Sequence, residues 1–343
     1  MSRVIVFDLN NIAAGEFRAV VNRGYGLNGS ITQQGGMSCT VELPTSAVSN
    51  DWMQFGRMVM VFDEGELLPP WCGMIDAPWT ASLPVQATIY SLEYLMQLRT
   101  PDSQITVTGE FESVLQELID MANALSTLNL RMGDLGDIPD GKQELKVMQT
   151  PLWGQLNDFA KRLGVEFTFR PTYDQNEPLL IYLDAGRDIG VDTGILLHDG
   201  ARANIKLADA SVNGPIWNRV IAIGKQSTAA SQLKSKPIDD DDSISLYDLR
   251  STVIQTGTTV QSVLDKAAQN YLNSMKEPTI KFDLLVDDPE IFPACRLGNT
   301  FDLHVSEVYL PGGEKGWRGT VRLEQMAYDE NQNVITATVV AKL

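Results

Sequence analysis

The sequence predicts an α+β protein that is mainly β, with a small α/β unit set between two β-rich regions. Three observations predict it. Short segments rich in Val, Ile, Met and Phe, punctuated by Gly-rich or Asn-rich turns, fill residues 1–100. Apolar residues at helical spacing first occur after residue 110, and β-type segments return from about residue 190. A length of 343 residues is long for one core and suits two or three domains.

In the first region Arg3–Leu9, Glu16–Asn22, Met37–Leu43 and Arg57–Phe62 read as strands of an antiparallel barrel or sandwich. Pro69-Pro70 and Pro84 break its later part. Glu110–Leu125 reads as a helix, because Phe111, Val114, Leu115, Leu118, Ile119, Ala122 and Leu125 form one apolar face. The next helix is punctuated by Thr150 as N-cap, Pro151 at the first helical position and Gly164 just past the end. Leu152, Leu156, Phe159, Ala160 and Leu163 are its stripe. Val165–Arg170 and Leu179–Leu183 follow as strands, so 101–185 is a small α/β unit.

The stretch Gly214-Pro215-Ile216-Trp217-Asn218-Arg219-Val220-Ile221-Ala222-Ile223-Gly224 reads as a strand with a turn at each end. A helix over roughly Val260–Met275, with Val260, Val263, Leu264, Ala267, Tyr271, Leu272 and Met275 in its stripe, is stopped by Pro278. Thr279–Val286, Asn299–Val305, Gly319–Tyr328 and Asn333–Ala341 are strands, the last two joined by a turn over Asp329-Glu330-Asn331-Gln332.

The two β regions share a pattern. Phe55-Gly56-Arg57 precedes one strand and Trp71-Cys72-Gly73-Met74-Ile75 opens the next; Leu297-Gly298-Asn299 and Trp317-Arg318-Gly319-Thr320-Val321 do the same later. Such a pattern either arises by chance in strand–loop–strand units or means that one barrel occurs twice.

Composition narrows the function. There are 27 Lys and Arg against 44 Asp and Glu, a net charge of −17, which argues against nonspecific binding to nucleic acid and against docking on an anionic membrane. Cys39, Cys72 and Cys295 are too few and too far apart for a disulfide framework or a metal site, and read as reduced thiols. The N-terminus lacks the apolar stretch of a secretion signal. No apolar run approaches the roughly 18 residues that cross a bilayer, so the expectation is a soluble protein.

Motifs for chemistry are thin. Gly24-Tyr25-Gly26-Leu27-Asn28-Gly29 matches the dinucleotide fingerprint in letters only, because a non-helical Gly- and Gln-rich stretch follows it; a hairpin loop is expected. Asp239-Asp240-Asp241-Asp242 lacks the ligand spacing and glycine of a calcium loop and reads as a solvated loop. His198 and His304 are the only histidines, far apart in sequence, with no nucleophile motif to serve. No catalytic residue, metal site or cofactor is expected.

Taken in order, "TPLWGQLNDFAKRLGVEFTF" (150–169), "GARANIKLADASVNGPIWNRVIAIG" (200–224), "DDSISLYDLRSTVI" (241–254), "VQSVLDKAAQNYLNSMKEP" (260–278) and "CRLGNTFDLHV" (295–305) resemble the tail hub proteins of long-tailed bacteriophages and related injection machines. In that family a Trp/Tyr-Asn-Arg-Val strand precedes a Ser-x-x-x-Tyr-Asp/Gly-x-Arg segment. Ser243, Ser245, Tyr247 and Arg250 fill the segment here, with Asp248 where Gly is common. The order matches over residues 145–343, and the first hundred residues match by architecture alone.

The resemblance implies two tube-like antiparallel β-barrels, at 1–100 and 191–343, with an inserted small α/β domain at 101–190. "GPIWNRVIAIG" is then the first strand of the second barrel, with Trp217 anchored in a core. It implies a non-enzymatic virion protein of the tail tip or baseplate, made in the bacterial host cytoplasm. Three chains carrying two barrels each form a homotrimeric, pseudo-sixfold hub, a symmetry adaptor working through interface geometry. Its partners are the tail tube or distal tail protein, the tape measure protein and a central spike or fibre. Genomic DNA passes through the lumen without specific binding during ejection and host cell entry, and no membrane anchor is implied. Trp217, Asn218, Arg219, Tyr247 and Arg250 are the assembly-interface candidates. The acidic charge either keeps a channel wall from holding phosphate or serves solubility. Three alternatives remain: a tail-associated cell-wall hydrolase or peptidase, a receptor- or carbohydrate-binding tip protein using loops 225–242 and 306–316, and a hexameric distal tail protein.

Overall fold

A computed structural model describes residues 1–26, 38–44, 53–63, 65, 67–79, 85–124, 128–175, 177–226, 232–256, 258, 260–310 and 315–342. The first region holds β1 (Ser2–Phe7), β2 (Ala13–Ala19), β3 (Val21–Gly26), β4 (Ser38–Leu43), β5 (Met58–Phe62), β6 (Trp71–Trp79) and β7 (Val85–Ser91). They pair antiparallel in the order β2-β1-β5-β6-β7-β4-β3. The single strand predicted over 16–22 is two: Val20 alone separates β2, which ladders with β1, from β3, which ladders with β4. The Val20 carbonyl accepts a hydrogen bond from the Glu42 amide at 3.3 Å.

Both β1 and β5 are apolar runs rather than alternating ones, because both of their faces are covered. Val4, Val6, Val59 and Val61 point into the core of this first sheet. Ile5, Phe7, Met58 and Met60 point the other way, into the core of the middle unit.

That middle unit consists of α1 (Leu92–Gln97), β8 (Ile105–Gly109), α2 (Phe111–Ala124), β9 (Leu130–Leu135), β10 (Gln143–Val147), α3 (Leu152–Leu163), β11 (Glu166–Thr172) and β12 (Leu180–Gly186). The strands form the pair β10-β8 and the sheet β11-β12-β9, in which β12 and β9 run parallel. Apart from Leu125, which lies outside the described residues, the stripes expected of α2 and α3 are buried, stacking Phe111 on Phe159 with ring centroids 5.7 Å apart. The N-cap of α3 is Pro151, one residue later than expected. The Gln155 side chain instead ties the chain entering α3, accepting from the Met148 amide and donating to the Met148 and Thr150 carbonyls. Gly164 ends the helix at φ 65°, the left-handed conformation glycine adopts without strain.

From residue 192 the elements are β13 (Asp192–His198), β14 (Ile205–Asn213), β15 (Arg219–Gln226), β16 (Gln232–Lys234), β17 (Ile238–Asp239), α4 (Asp241–Tyr247), β18 (Ser251–Gln255), α5 (Gln261–Met275), β19 (Thr279–Val286), β20 (Thr300–Tyr309), β21 (Lys315–Asp329) and β22 (Val334–Lys342). The order β14-β19-β22-β21-β20-β13 makes the second β region, antiparallel except for the parallel pair β20·β13. The pairing of Asn22–Gly26 with Gln325–Asp329 joins it to the first, so both regions lie in one 13-stranded sheet.

The strand predicted to open the second barrel does not belong to that sheet. It is β15, the centre of a separate four-stranded sheet with β16, β17 and β18. Val220 and Ala222 pack there on Leu264, Ala268 and Leu272 of α5. The whole unit is inserted between β14 and β19, which are themselves neighbours. Its period-2 burial reflects one helix-covered face and one half-buried face, which the sequence pattern shares with a barrel strand.

The repeated pattern has a physical basis in the structure. The neighbour pairs β1·β5, β5·β6, β6·β7, β7·β4 and β4·β3 correspond, in chain order, to β13·β20, β20·β21, β21·β22, β22·β19 and β19·β14, although β1·β5 is antiparallel and β13·β20 parallel. Gly56 and Gly298 precede corresponding strands and take φ of 81° and 84°. In each copy the glycine amide donates to a carbonyl on the next strand (Ile75, Leu323). The amide of that same residue donates back to the residue after the glycine (Arg57, Asn299). Gly73 and Gly319 each lie under the ring of the tryptophan two residues earlier, where a Cβ would come within 2.6 Å of Trp71 and 2.8 Å of Trp317. Residues two apart share a strand face, so only glycine leaves room for the indole. The sequence pattern therefore marks one turn-and-hairpin unit, β5–β6 and β20–β21, used twice. At the remaining junction β13 and β14 are tied by Asn204, whose side chain accepts from the His198 amide and donates to the Leu196 carbonyl.

Candidate assembly interface around Asn218

The five interface candidates come together at one corner of the inserted sheet. Asn218, with no exposed surface, is its centre. Its side chain donates to the Asp248 carbonyl at 2.7 Å and accepts from the Arg250 amide at 2.7 Å. Its own amide donates to the Arg250 carbonyl, and its carbonyl accepts from the Asp240 amide. One asparagine thus fastens β15 to the turn after α4 and to the turn before it. Only an amide side chain supplies a donor and an acceptor at that reach.

Around it the polar groups are paired. Arg219 makes a two-pronged contact with Asp239, at 2.7 and 2.6 Å, which holds that carboxyl below its ordinary range. Lys276 bonds Asp240 at 2.8 Å and, with the Ser243 amide, holds its carboxyl low as well. Asp239–Asp242 is accordingly a strand end, an N-cap and the first turn of α4, not the solvated loop expected. Carboxylates are stabilised there by the free amides of a helix start. The buried Ser243 hydroxyl donates to the Lys276 carbonyl, and Tyr247 offers its carbonyl to Arg250 Nε at 3.2 Å. Asp248 takes φ 62° and ψ 164°, a conformation favouring glycine.

Trp217 is half-buried rather than anchored in a core; Asn218 has that role instead. Leu246, Leu249 and Arg250 are exposed at the same corner, and no sequence rule separates such residues from ordinary solvated ones. Replacing Asn218 by Ala strands the Arg250 amide and Asp248 carbonyl in a dry site, and is expected to cost about 2–4 kcal/mol. Trp217→Ala removes partly exposed surface and is expected to cost less. Urea unfolding of both variants checks the order; equal losses would contradict it.

Gly24 and Gly26 lie in β3, laddered with Ala327 and Gln325, and the Gly24 carbonyl accepts from Trp71 Nε1 at 2.8 Å. Residues 27–29 of that motif fall outside the described residues. His198 and His304, distant in sequence, are register partners across β13 and β20, with Arg318 opposite His304 on β21. Asp199, next to His198, accepts from the Ser306 amide and hydroxyl. All three cysteines are free and buried, and burial pushes their thiols up, that of Cys295 to about 12. No group of three or more His, Cys, Asp or Glu side chains suited to a metal ion occurs among the described residues. No helix among them is long and apolar enough to cross a membrane.

The pairing that sequence reasoning missed is Arg322 with Glu166. Arg322 Nη1 and Nη2 meet the two carboxylate oxygens, Nη2 also donates to the Ile189 carbonyl at 2.6 Å, and Nε to Gly298 at 3.1 Å. Burial works against the charge of Arg322, and Glu166 more than offsets it, keeping the guanidinium above its ordinary range. The partners are 156 positions apart, so no local signal marks them.

No family model matches the sequence, and no curated protein does. Solved structures do match along nearly the whole chain. A 43 kDa tail protein of prophage MuSo2 from Shewanella oneidensis aligns over 99% of this chain and 98% of its own, with 12% identity and a TM-score of 0.57. The prophage tail protein gp18 from Listeria monocytogenes aligns over 99% and 94%, with 10% identity and a TM-score of 0.59. A tail protein from Neisseria meningitidis aligns over 100% and 96%, with 13% identity and a TM-score of 0.60. The structural neighbours are thus phage tail proteins, as the resemblance in the sequence implied, and identities this low establish a shared fold.

Proposed function

We propose that this chain, which has the fold of prophage tail proteins, is a structural hub of a phage tail tip. Three copies form a ring in which two β regions per chain give six similar units. One side of the ring stacks on the sixfold tail tube or distal tail protein, and the other receives a central spike or fibre. The tape measure protein and then the genomic DNA pass through the middle. The observation that carries this is the duplication: two regions with one strand order, matched left-handed glycines and matched Trp-x-Gly contacts. A chain with two equivalent units is what lets a threefold ring present six positions.

Closure of each region into a tube is part of the proposal. In the first, the strand pair β2/β3 ladders with β1 before Val20 and with β4 after it, so the two ends of the strand order meet in one bent stretch. In the second, the Asn204 side chain bridges β13 to the start of β14. The proposed contact face includes the corner built on Asn218: Trp217, Arg219, Tyr247 and Arg250 lie at or near its surface, while Asn218 acts by holding that surface in shape. The net charge of −17 suits a lumen that does not retain phosphate, and the wall of an assembled ring is expected to be acidic.

Native mass measurement with class-averaged top views of the assembled particle tests the proposal. The expected result is three copies with pseudo-sixfold symmetry. Six copies with true sixfold symmetry would make the chain a distal tail protein instead. Clearing of purified cell wall in a zymogram would replace the structural role with a hydrolase.

A further inference from the structure

A cleft of about 590 Å3 opens between α3 and β10 on one side and β18 and α5 on the other. In a chain carrying −17, its walls bring together Lys146, Lys161 and Arg162 against Asp158 alone. Arg162 stands over the Phe159 ring at 5.3 Å and spends one nitrogen on the Glu144 carbonyl at 2.7 Å, while its Nε is buried without a partner. Lys161 makes no ion pair among the described residues.

The backbone adds a second feature. β18 ladders with β15 on one side, and no strand among the described residues pairs with its other edge. Ile254, Gln255 and Thr256, at the end of that strand, line the cleft. An unpaired edge is a template for an added strand, its open amides and carbonyls supplying affinity and its surroundings supplying selectivity.

We propose that this cleft docks an extended acidic segment of a partner protein, which adds a strand to the free edge of β18 and sets its carboxylates against Lys161, Lys146 and Arg162. A partner is favoured over a second copy because this chain's densest acidic run is already committed. Asp239 is held by Arg219, Asp240 by Lys276, and Asp241 and Asp242 begin α4. β18 spans roughly 17 Å, so five or so residues of the partner fit along it. The proposal is independent of a role in a tail.

The test uses the full chain and fluorescent peptides of alternating Glu and Val, with alternating Lys and Val as control, followed by anisotropy. Saturable binding of the acidic peptide alone is expected, weakened about tenfold or more by Lys161→Glu and by raising salt. Methylating the peptide amides that face β18 is expected to abolish binding, and methylating the alternate set to spare it. Lys161 is half-buried on α3, and circular dichroism of the variant checks its fold. No saturable binding, or binding indifferent to both methylation patterns, would overturn the proposal. So would self-association of the chain that Lys161→Glu abolishes, since the occupant would then be a second copy.

Discussion

Arg322→Ala is expected to destabilise the protein by about 3–5 kcal/mol, because removing one partner of a buried pair leaves the other charge uncompensated. The side chains of Arg322 and Glu166 are only 21% and 13% exposed. The guanidinium is also the shared donor for the Ile189 and Gly298 carbonyls, so four acceptor atoms from three chain segments lose a donor together, and Glu166 keeps only its bond from the Ile189 amide. Those segments are β11, the 187–191 connection and the turn before β20, so the loss falls where the middle unit meets the second β region. Arg322→Lys is expected to recover little, since an ammonium cannot span the carboxylate and both carbonyls as a planar fork does. Arg322→Met combined with Glu166→Leu is expected to recover most of the loss, because the buried charge disappears from both sides. Urea unfolding followed by tryptophan fluorescence measures all three. A loss under about 1 kcal/mol for Arg322→Ala would show that the pair contributes as an exposed one does.

What was legible in the sequence tracks what is local. The buried faces of α2, α3 and α5 follow from a 3.6 period, except that Val260 is the exposed N-cap of α5, and β19 spans Thr279–Val286 because Ile280, Phe282, Leu284 and Val286 alternate cleanly. The duplication was legible because its marks are short-range: a left-handed turn requires glycine at 56 and 298, and an indole folded over its own strand requires glycine at 73 and 319. Membership in a sheet was not legible. β15 has the alternation of a barrel strand, and only its pairing with β16, β17 and β18 assigns it elsewhere.

The candidate site was half legible for the same reason. Asn218 and the 247–250 segment are some 30 residues apart but each carries unusual polar residues, so both attracted notice. Their roles did not follow. The aromatic residue invited a core assignment, whereas the fully buried member is the asparagine, whose polar groups are all satisfied by backbone partners that a sequence does not display. The cross-strand pairing of His198 with His304 and the Arg322–Glu166 pair were invisible because register and long-range packing set them.

Gly56 and Gly298 allow the duplicated unit to be tested against its surroundings. Both take nearly the same left-handed φ, so alanine at either is expected to cost about 1–2 kcal/mol from backbone strain. At Gly56 nothing lies within 4 Å of the added Cβ, and that strain is the whole expected effect. At Gly298 the Cβ would fall on the Ile189 carbonyl and come within 3.1 Å of Arg322 Nη2. Gly190, at φ 119°, lies against Gly298 from the other side, so the crossing of the two backbones closes only with glycine at both positions. Overpacking there adds about 1–3 kcal/mol, so Gly298→Ala is expected to cost roughly 2–5 kcal/mol in all. Moving the Ile189 carbonyl also breaks its bond to Arg322, so Gly298→Ala and Arg322→Ala together are expected to cost less than their sum. Unfolding curves for Gly56→Ala, Gly298→Ala and the double variant decide this. If the two glycines cost the same, the turn conformation alone sets their role. A larger loss at 298, less than additive with Arg322→Ala, means that the second copy of the unit carries the junction with the middle domain and the first does not.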